Sequence, residues 1–111
     1  MARSDKRKAR FVRTQLFIES FHEHYRYTAS IEERLRDFIK AKEQRPPDKF
    51  ANEHPLNPPF DGLRECHLAG DSCLVFKDKG DIVQLLCICT HDELRGKKAK
   101  ALAKRLKARL E

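Results

Sequence analysis

The sequence predicts an α+β domain: an N-terminal strand and two helices, then an antiparallel β-meander and a C-terminal basic helix. Three observations carry this prediction. Apolar residues recur at helical spacing between residues 15 and 43, at strand spacing between 63 and 89, and at helical spacing again after 92. All five prolines fall in the stretch 44–61 that separates the first two regimes. No internal repeat breaks the order, and 111 residues amount to one domain, 1–111, with 95–111 read as a basic helical extension.

Each element has its own signal. Lys8 to Thr14 alternates enough to form an edge-like strand. Gln15 to Tyr27 sets Leu16, Phe17, Phe21 and Tyr25 at helical spacing. Ser30, with Glu33 three residues on, is read as an N-cap and capping box. The helix it opens runs from about Ile31 to Glu43, with Ile31, Leu35, Phe38 and Ile39 on one face. Pro46-Pro47 ends it, because proline cannot supply the amide hydrogen a helix needs. Residues 44–61 show no period and read as a loop. Leu63–Leu68, Cys73–Lys77 and Ile82–Cys89 read as strands, joined by turns at Ala69-Gly70-Asp71-Ser72 and Asp78-Lys79-Gly80. The last of these strands is apolar on both faces, as a central strand should be. From Asp92 onward there is neither proline nor a β-branched residue, and Ala99, Leu102, Ala103, Leu106 and Leu110 form a stripe. The expected layering puts the helices on one face of an antiparallel sheet.

The net charge of +7 is unevenly spread: residues 1–13 carry +5, 14–91 carry −3 and 92–111 carry +5. Cationic ends attract polyanions by releasing condensed counterions; the same charges also serve as a solvated face that aids solubility. The longest uncharged apolar run, Ile82 to Thr90, is under half a bilayer span, so no membrane partner is expected. The basic N-terminus lacks the apolar stretch of a signal peptide, and the expected location is the cytoplasm.

Cys66, Cys73, Cys87 and Cys89 form no C-x-x-C pair, and no disulfide framework is expected. A zinc site drawn from Cys66, His67, Cys87, Cys89 or His91 lacks the usual two-to-four-residue ligand spacer, so neither metal nor other cofactor is expected.

Five histidines are the more informative set. His22 and His24 belong to the first helix and read as surface residues. His54 precedes Pro55, which forces it into an extended conformation. His67 is near a strand end, Asp71 lies in the adjoining turn, and His91 follows the last strand. Strand ends of a meander can converge, so three imidazoles and a carboxylate can line one cleft. Such a set suits RNA cleavage, which needs a base for the 2′-OH proton, an acid for the leaving 5′-oxygen, and positive charge on the phosphate. Imidazole performs either proton transfer near neutrality, an aspartate fixes its tautomer, and Arg64 offers a bidentate contact to phosphate. From spacing alone, ordinary polar strand ends explain the same residues.

Longer motifs add a resemblance. Glu53-His54-Pro55-Leu56, Leu63-Arg64-Glu65-Cys66-His67-Leu68, Asp71, Leu74-Val75-Phe76 and Cys89-Thr90-His91-Asp92-Glu93-Leu94 together resemble the YafQ branch of the RelE-like toxins. These are ribosome-dependent mRNA interferases of bacterial type II toxin–antitoxin pairs, and the likeness in order and spacing spans about residues 8 to 94. It implies a microbial-RNase-like sheet and an endoribonuclease with His54, His67, Asp71 and His91 at its active site. His67, Asp71 and His91 would share proton transfer and His54 would help hold the RNA. It also implies a 2′,3′-cyclic phosphate product without metal, and as partners a cognate antitoxin, mRNA on the ribosome and ribosomal RNA. This sequence departs from the family where Cys89 replaces a glycine, Ser72 an aromatic residue, Phe76 a tyrosine and Arg95 a phenylalanine. Arg95 offers a guanidinium plane for stacking on a base in place of the lost ring. The departures keep open two other readings, a non-catalytic RNA- or ribosome-binding module and a ParE-like topoisomerase inhibitor.

Overall fold

The computed structural model describes residues 10–23, 28–43, 53–58, 60 and 62–110. The expected strand start at Lys8, the helical assignment of His24 to Tyr27 and most of the proline-rich loop lie outside them. Within them, β1 (Arg10–Arg13) leads into α1 (Gln15–Glu23) and α2 (Thr28–Glu43). Strands β2 (His54–Pro55), β3 (Arg64–His67), β4 (Ser72–Asp78) and β5 (Ile82–Thr90) follow, then a 3-10 turn (Asp92–Leu94) and α3 (Gly96–Leu110). This is the predicted α+β order, with His54–Pro55 as an added edge strand. Proline fits there because an edge strand leaves one row of amide positions unpaired.

The sheet order is β1-β5-β4-β3-β2. The meander is antiparallel as expected, but β1 runs parallel to β5, from Arg10 opposite Ile82 to Arg13 opposite Leu85. The sheet is therefore mixed. A parallel neighbour needs a long crossover rather than a hairpin, and the chain between β1 and β5 supplies one.

The helices also depart from the expected layering, because they cover both faces. On one side Phe17, Ile31 and Phe38 pack with Cys66, Leu74, Phe76 and Val83. On the other, Ala99, Leu102, Ala103 and Leu106 of α3 pack with Leu63, Val75, Leu86, Cys87 and Cys89. Strands that are apolar on both faces leave half their hydrophobic surface wet unless each face is covered. The leucine stripe of α3 is thus part of this core.

A bulge sets the phase of β5. Val75 opposes Cys87 and Phe76 opposes Leu85, which leaves Leu86 as the extra residue. Leu86 and Cys87, adjacent in sequence, consequently share the α3 side, while Leu85 and Ile88 face α1 and α2. Thr14, expected to end the first strand, instead caps α1. Its hydroxyl accepts from Phe17 N at 3.2 Å and lies 3.1 and 3.0 Å from the Leu85 and Leu86 carbonyls. Beyond the end of β1, Ser20 takes over the edge of β5: its hydroxyl accepts from Ile88 N at 2.8 Å. Helix α2 starts at Thr28, so Ser30 lies in its first turn and is not the N-cap. Ala29, the strongest helix former, favours the earlier start.

Candidate functional site

Side chains alternate between faces along a strand, so cross-strand partners share a face. His54 opposes Glu65, Glu65 opposes Val75, and Val75 opposes Cys87. One step along, His67 opposes Cys73 and Cys73 opposes Cys89. His54, Glu65, His67 and Cys73 therefore lie on the α3 side of the sheet. His91 directly follows β5, and Asp71 occupies the β3–β4 turn that Gly70 allows with its φ of +57°.

Glu65 is the centre of this group. Its buried carboxylate lies 3.0 Å from Nε2 of His54 and 3.9 Å from Nε2 of His91. His54 Nδ1 is 3.0 Å from the Pro55 carbonyl oxygen, so each ring nitrogen of His54 faces an acceptor. On the other side, His91 Nδ1 lies 3.4 Å from Asp71 Oδ1, and the His67 and His91 rings stack with centroids 5.9 Å apart. Donation from Nδ1 to Asp71 leaves the Nε2 lone pair of His91 available to take a proton. His54, Glu65, His91 and Arg95 line one open cavity of about 310 Å³, with Phe60 and Leu94 among its apolar walls.

Arg64 is not part of this cluster. It opposes Phe76 on the α2 side, where its Nε donates to Glu53 at 2.8 Å. Lys42, buried beside the Phe38 and Phe76 rings, donates to the other oxygen of Glu53 at 2.5 Å. The predicted phosphate contact is thus replaced by a network that anchors the residue next to His54. Ser72 and Phe76, at the family's aromatic positions, are buried with 1% and 0% exposure and offer no surface to a base.

A family model described as "Bacterial toxin of type II toxin-antitoxin system, YafQ" matches residues 10–96. The chain belongs to the YafQ toxin family. The fold of this YafQ-family toxin resembles that of a copper-bound mutant toxin from Helicobacter pylori, with 26% identity over 78% of this chain and 99% of that one, at a TM-score of 0.60. It is also similar to YafQ from E. coli, 16% identical over 80% and 100% of the two chains, at a TM-score of 0.61. YafQ in the E. coli DinJ–YafQ toxin–antitoxin complex is 15% identical over 80% and 99%, at a TM-score of 0.62. No curated protein matches the sequence. The family match ends at residue 96, so α3 lies almost wholly beyond it.

Two features of this YafQ-family site escape the sequence reading. Glu65 is visible only as the acidic member of the Arg64-Glu65-Cys66-His67 motif, and nothing local says that it meets two histidines. Thr90 and Glu93, by contrast, had a readable signal. They form the reciprocal pair of a capping box: Thr90 N donates to Glu93 Oε1 at 3.1 Å and Glu93 N donates to Thr90 Oγ1 at 3.3 Å. That pair fixes the backbone on either side of His91. Just beyond, Lys98 donates to Asp92 at 2.7 Å and holds its carboxyl below the usual range.

All four thiols are buried. Burial pushes Cys73 from its ordinary value of 9.0 up to about 12, with the charges of Glu65, Asp71 and Cys87 adding to the shift. A hydrogen bond with Cys87, followed by burial, raises Cys89 further. Burial also raises Cys66, which faces the opposite cluster and cannot join a zinc site with His67 as drawn from the sequence. The unfolded chain releases these protons at lower pH than the folded one, so stability is full below pH 9.0 and falls as pH rises towards 12. Thermal unfolding across that range is expected to show a falling midpoint, and Cys73→Ala a shallower fall. Equal slopes would refute the assignment.

Proposed function

We propose that this toxin is an endoribonuclease that cleaves ribosome-bound mRNA by attack of the 2′-OH on the adjacent phosphate. The observation that supports it is the gathering of His54, Glu65, His67, Asp71 and His91 around one face of the sheet, beside an open cavity. In this reading His91, oriented by Asp71, takes the 2′-OH proton through Nε2. His67, stacked beside it, protonates the leaving 5′-oxygen. His54, held by Glu65 at 3.0 Å, meets the phosphate, and Arg95 supplies positive charge and a plane for a base. Bond formation by the 2′-oxygen and loss of the 5′-oxygen leave a 2′,3′-cyclic phosphate. With Ser72 and Phe76 buried, base stacking falls to Arg95, so sequence preference is weak. Each absent stacking ring removes about 1–3 kcal/mol of base holding.

A cognate antitoxin is part of the same reading, supported by the toxin–antitoxin complex of the E. coli relative. The basic ends suit either an acidic antitoxin or ribosomal RNA.

The test is purified protein added to translating ribosomes, with the ends of the cut RNA identified chemically. Cyclic phosphate ends are expected, undiminished by a chelator that removes transition metals and spares magnesium. Products with 3′-hydroxyl ends, or an absence of cutting together with normal growth on induced expression, would overturn the proposal.

A further inference from the structure

We propose that His67, Cys73 and His91 form a zinc-type metal site whose occupation switches cleavage off. The switch rests on the nuclease reading above, whereas the site does not. Its three donors come from the end of β3, the start of β4 and the residue after β5, and their ligand atoms all lie within 4.8 Å of one another. A tetrahedral zinc ion, with bonds of about 2.0–2.1 Å to nitrogen and 2.3 Å to sulfur, draws such atoms to roughly 3.3–3.8 Å apart. About 1 Å of closure is therefore needed. Cys73 is fully buried, while both imidazoles are partly exposed and have room to turn, so closure falls to rotation of the rings towards the sulfur.

The donor set suits the ion. Two imidazoles and one thiolate are borderline-to-soft ligands that select zinc or copper over magnesium or calcium. Three protein ligands leave a fourth position for water. His91 is also braced as metal-bound histidines are, with Asp71 at 3.4 Å from Nδ1 and Glu65 at 3.9 Å from Nε2. Whichever ring nitrogen takes the ion, a carboxylate faces the other. Binding replaces the S–H bond of Cys73 by a sulfur–metal bond and releases one proton to water. The proposed cleavage has no use for this thiol, but it needs the lone pairs of His67 and His91. An ion that holds both pairs leaves neither ring free to move a proton.

The experiment uses the purified full-length chain, stripped of metal, and cobalt as a visible probe. One equivalent of cobalt is expected to bind with thiolate-to-metal charge-transfer absorption, and zinc to displace it. Competition with a coloured chelator should show that Cys73→Ala lowers zinc affinity about a hundredfold or more. In the cleavage assay one equivalent of zinc should silence the parent, and chelator should restore it. Cys73→Ala should cut at the parental rate with zinc present. If Cys73→Ala does not fold, His67→Gln must show the same loss of cobalt binding. Cobalt bound without thiolate absorption, or variants that bind zinc as tightly as the parent, overturn the site while cleavage stands. A thiolate spectrum in a protein that never cuts RNA overturns the switch and leaves the site.

Discussion

Alanine at His91 is expected to slow RNA cleavage by about 10²–10⁴-fold, because proton transfer needs a group within hydrogen-bond reach and alanine leaves only water. His67→Ala and Asp71→Ala should fall in the same direction. Asp71 acts through His91, so its loss should distort the pH profile more than the maximal rate. His54→Ala should weaken RNA holding at least as much as turnover, and Glu65→Gln should follow it, since that carboxylate lies 3.0 Å from the His54 ring. The effects should be far from additive: once His91 is gone, removing Asp71 costs little more, because the two act as a unit. His22→Ala, on exposed α1 surface, is the control. Rates on ribosome-bound message, with unfolding curves to confirm that each variant is folded, decide the matter. A triple variant of His67, Asp71 and His91 that cuts as fast as the parent would refute the mechanism.

The second large effect concerns stability. Leu106→Ala is expected to cost about 2–5 kcal/mol, the range for emptying a buried leucine site. Leu106 is 2% exposed against the sheet face that carries Val75, Leu86 and Cys89. Domains of this size have roughly 5–15 kcal/mol to lose, so adding Leu102→Ala should leave little cooperative unfolding in urea. Lys107→Ala, on the exposed side of the same helix, should stay within about 0.5 kcal/mol. Removal of residues after 95 should abolish folding. A truncated chain that unfolds cooperatively at the parental midpoint would show α3 to be dispensable to the core.

Much of this molecule is legible in its sequence, and the failures have physical reasons. Periodicity finds α1, α2, α3 and the meander, because each buries one stripe or one face. It cannot tell which face a helix covers, so α3 was expected beside α1 and α2 although the doubly apolar β5 already implied two covered faces. Nor does it see that β1 pairs in parallel with a strand some seventy residues on, since pairing direction leaves no local mark. At the site, His54, His67, Asp71 and His91 are legible through motif order. Arg64 shows the limit of such reading: next to a strand histidine it points to the other face, and there Glu53 claims it. Cys73 shows the converse. Local spacing rules look for ligands within one loop, whereas His67, Cys73 and His91 meet only through strand register.

The parallel pairing of β1 with β5 also sets an order in time. The β4–β5 hairpin closes through a tight turn in which Gly80 N donates to Asp78 Oδ1 at 2.9 Å, and a loop that short forms in microseconds. Strand β1 has no partner until Ile82–Leu85 exist and are already in place, and it must close a far longer loop to reach them. It therefore docks late and as an edge, with a short four-residue ladder whose residues are mostly exposed. The same economy runs backwards during native fluctuations: β1 should peel away first, and its amides should exchange with solvent well before those of β4 and β5. The histidine end of the sheet, carried by β2, β3 and the residue after β5, should stay assembled while that edge opens and closes.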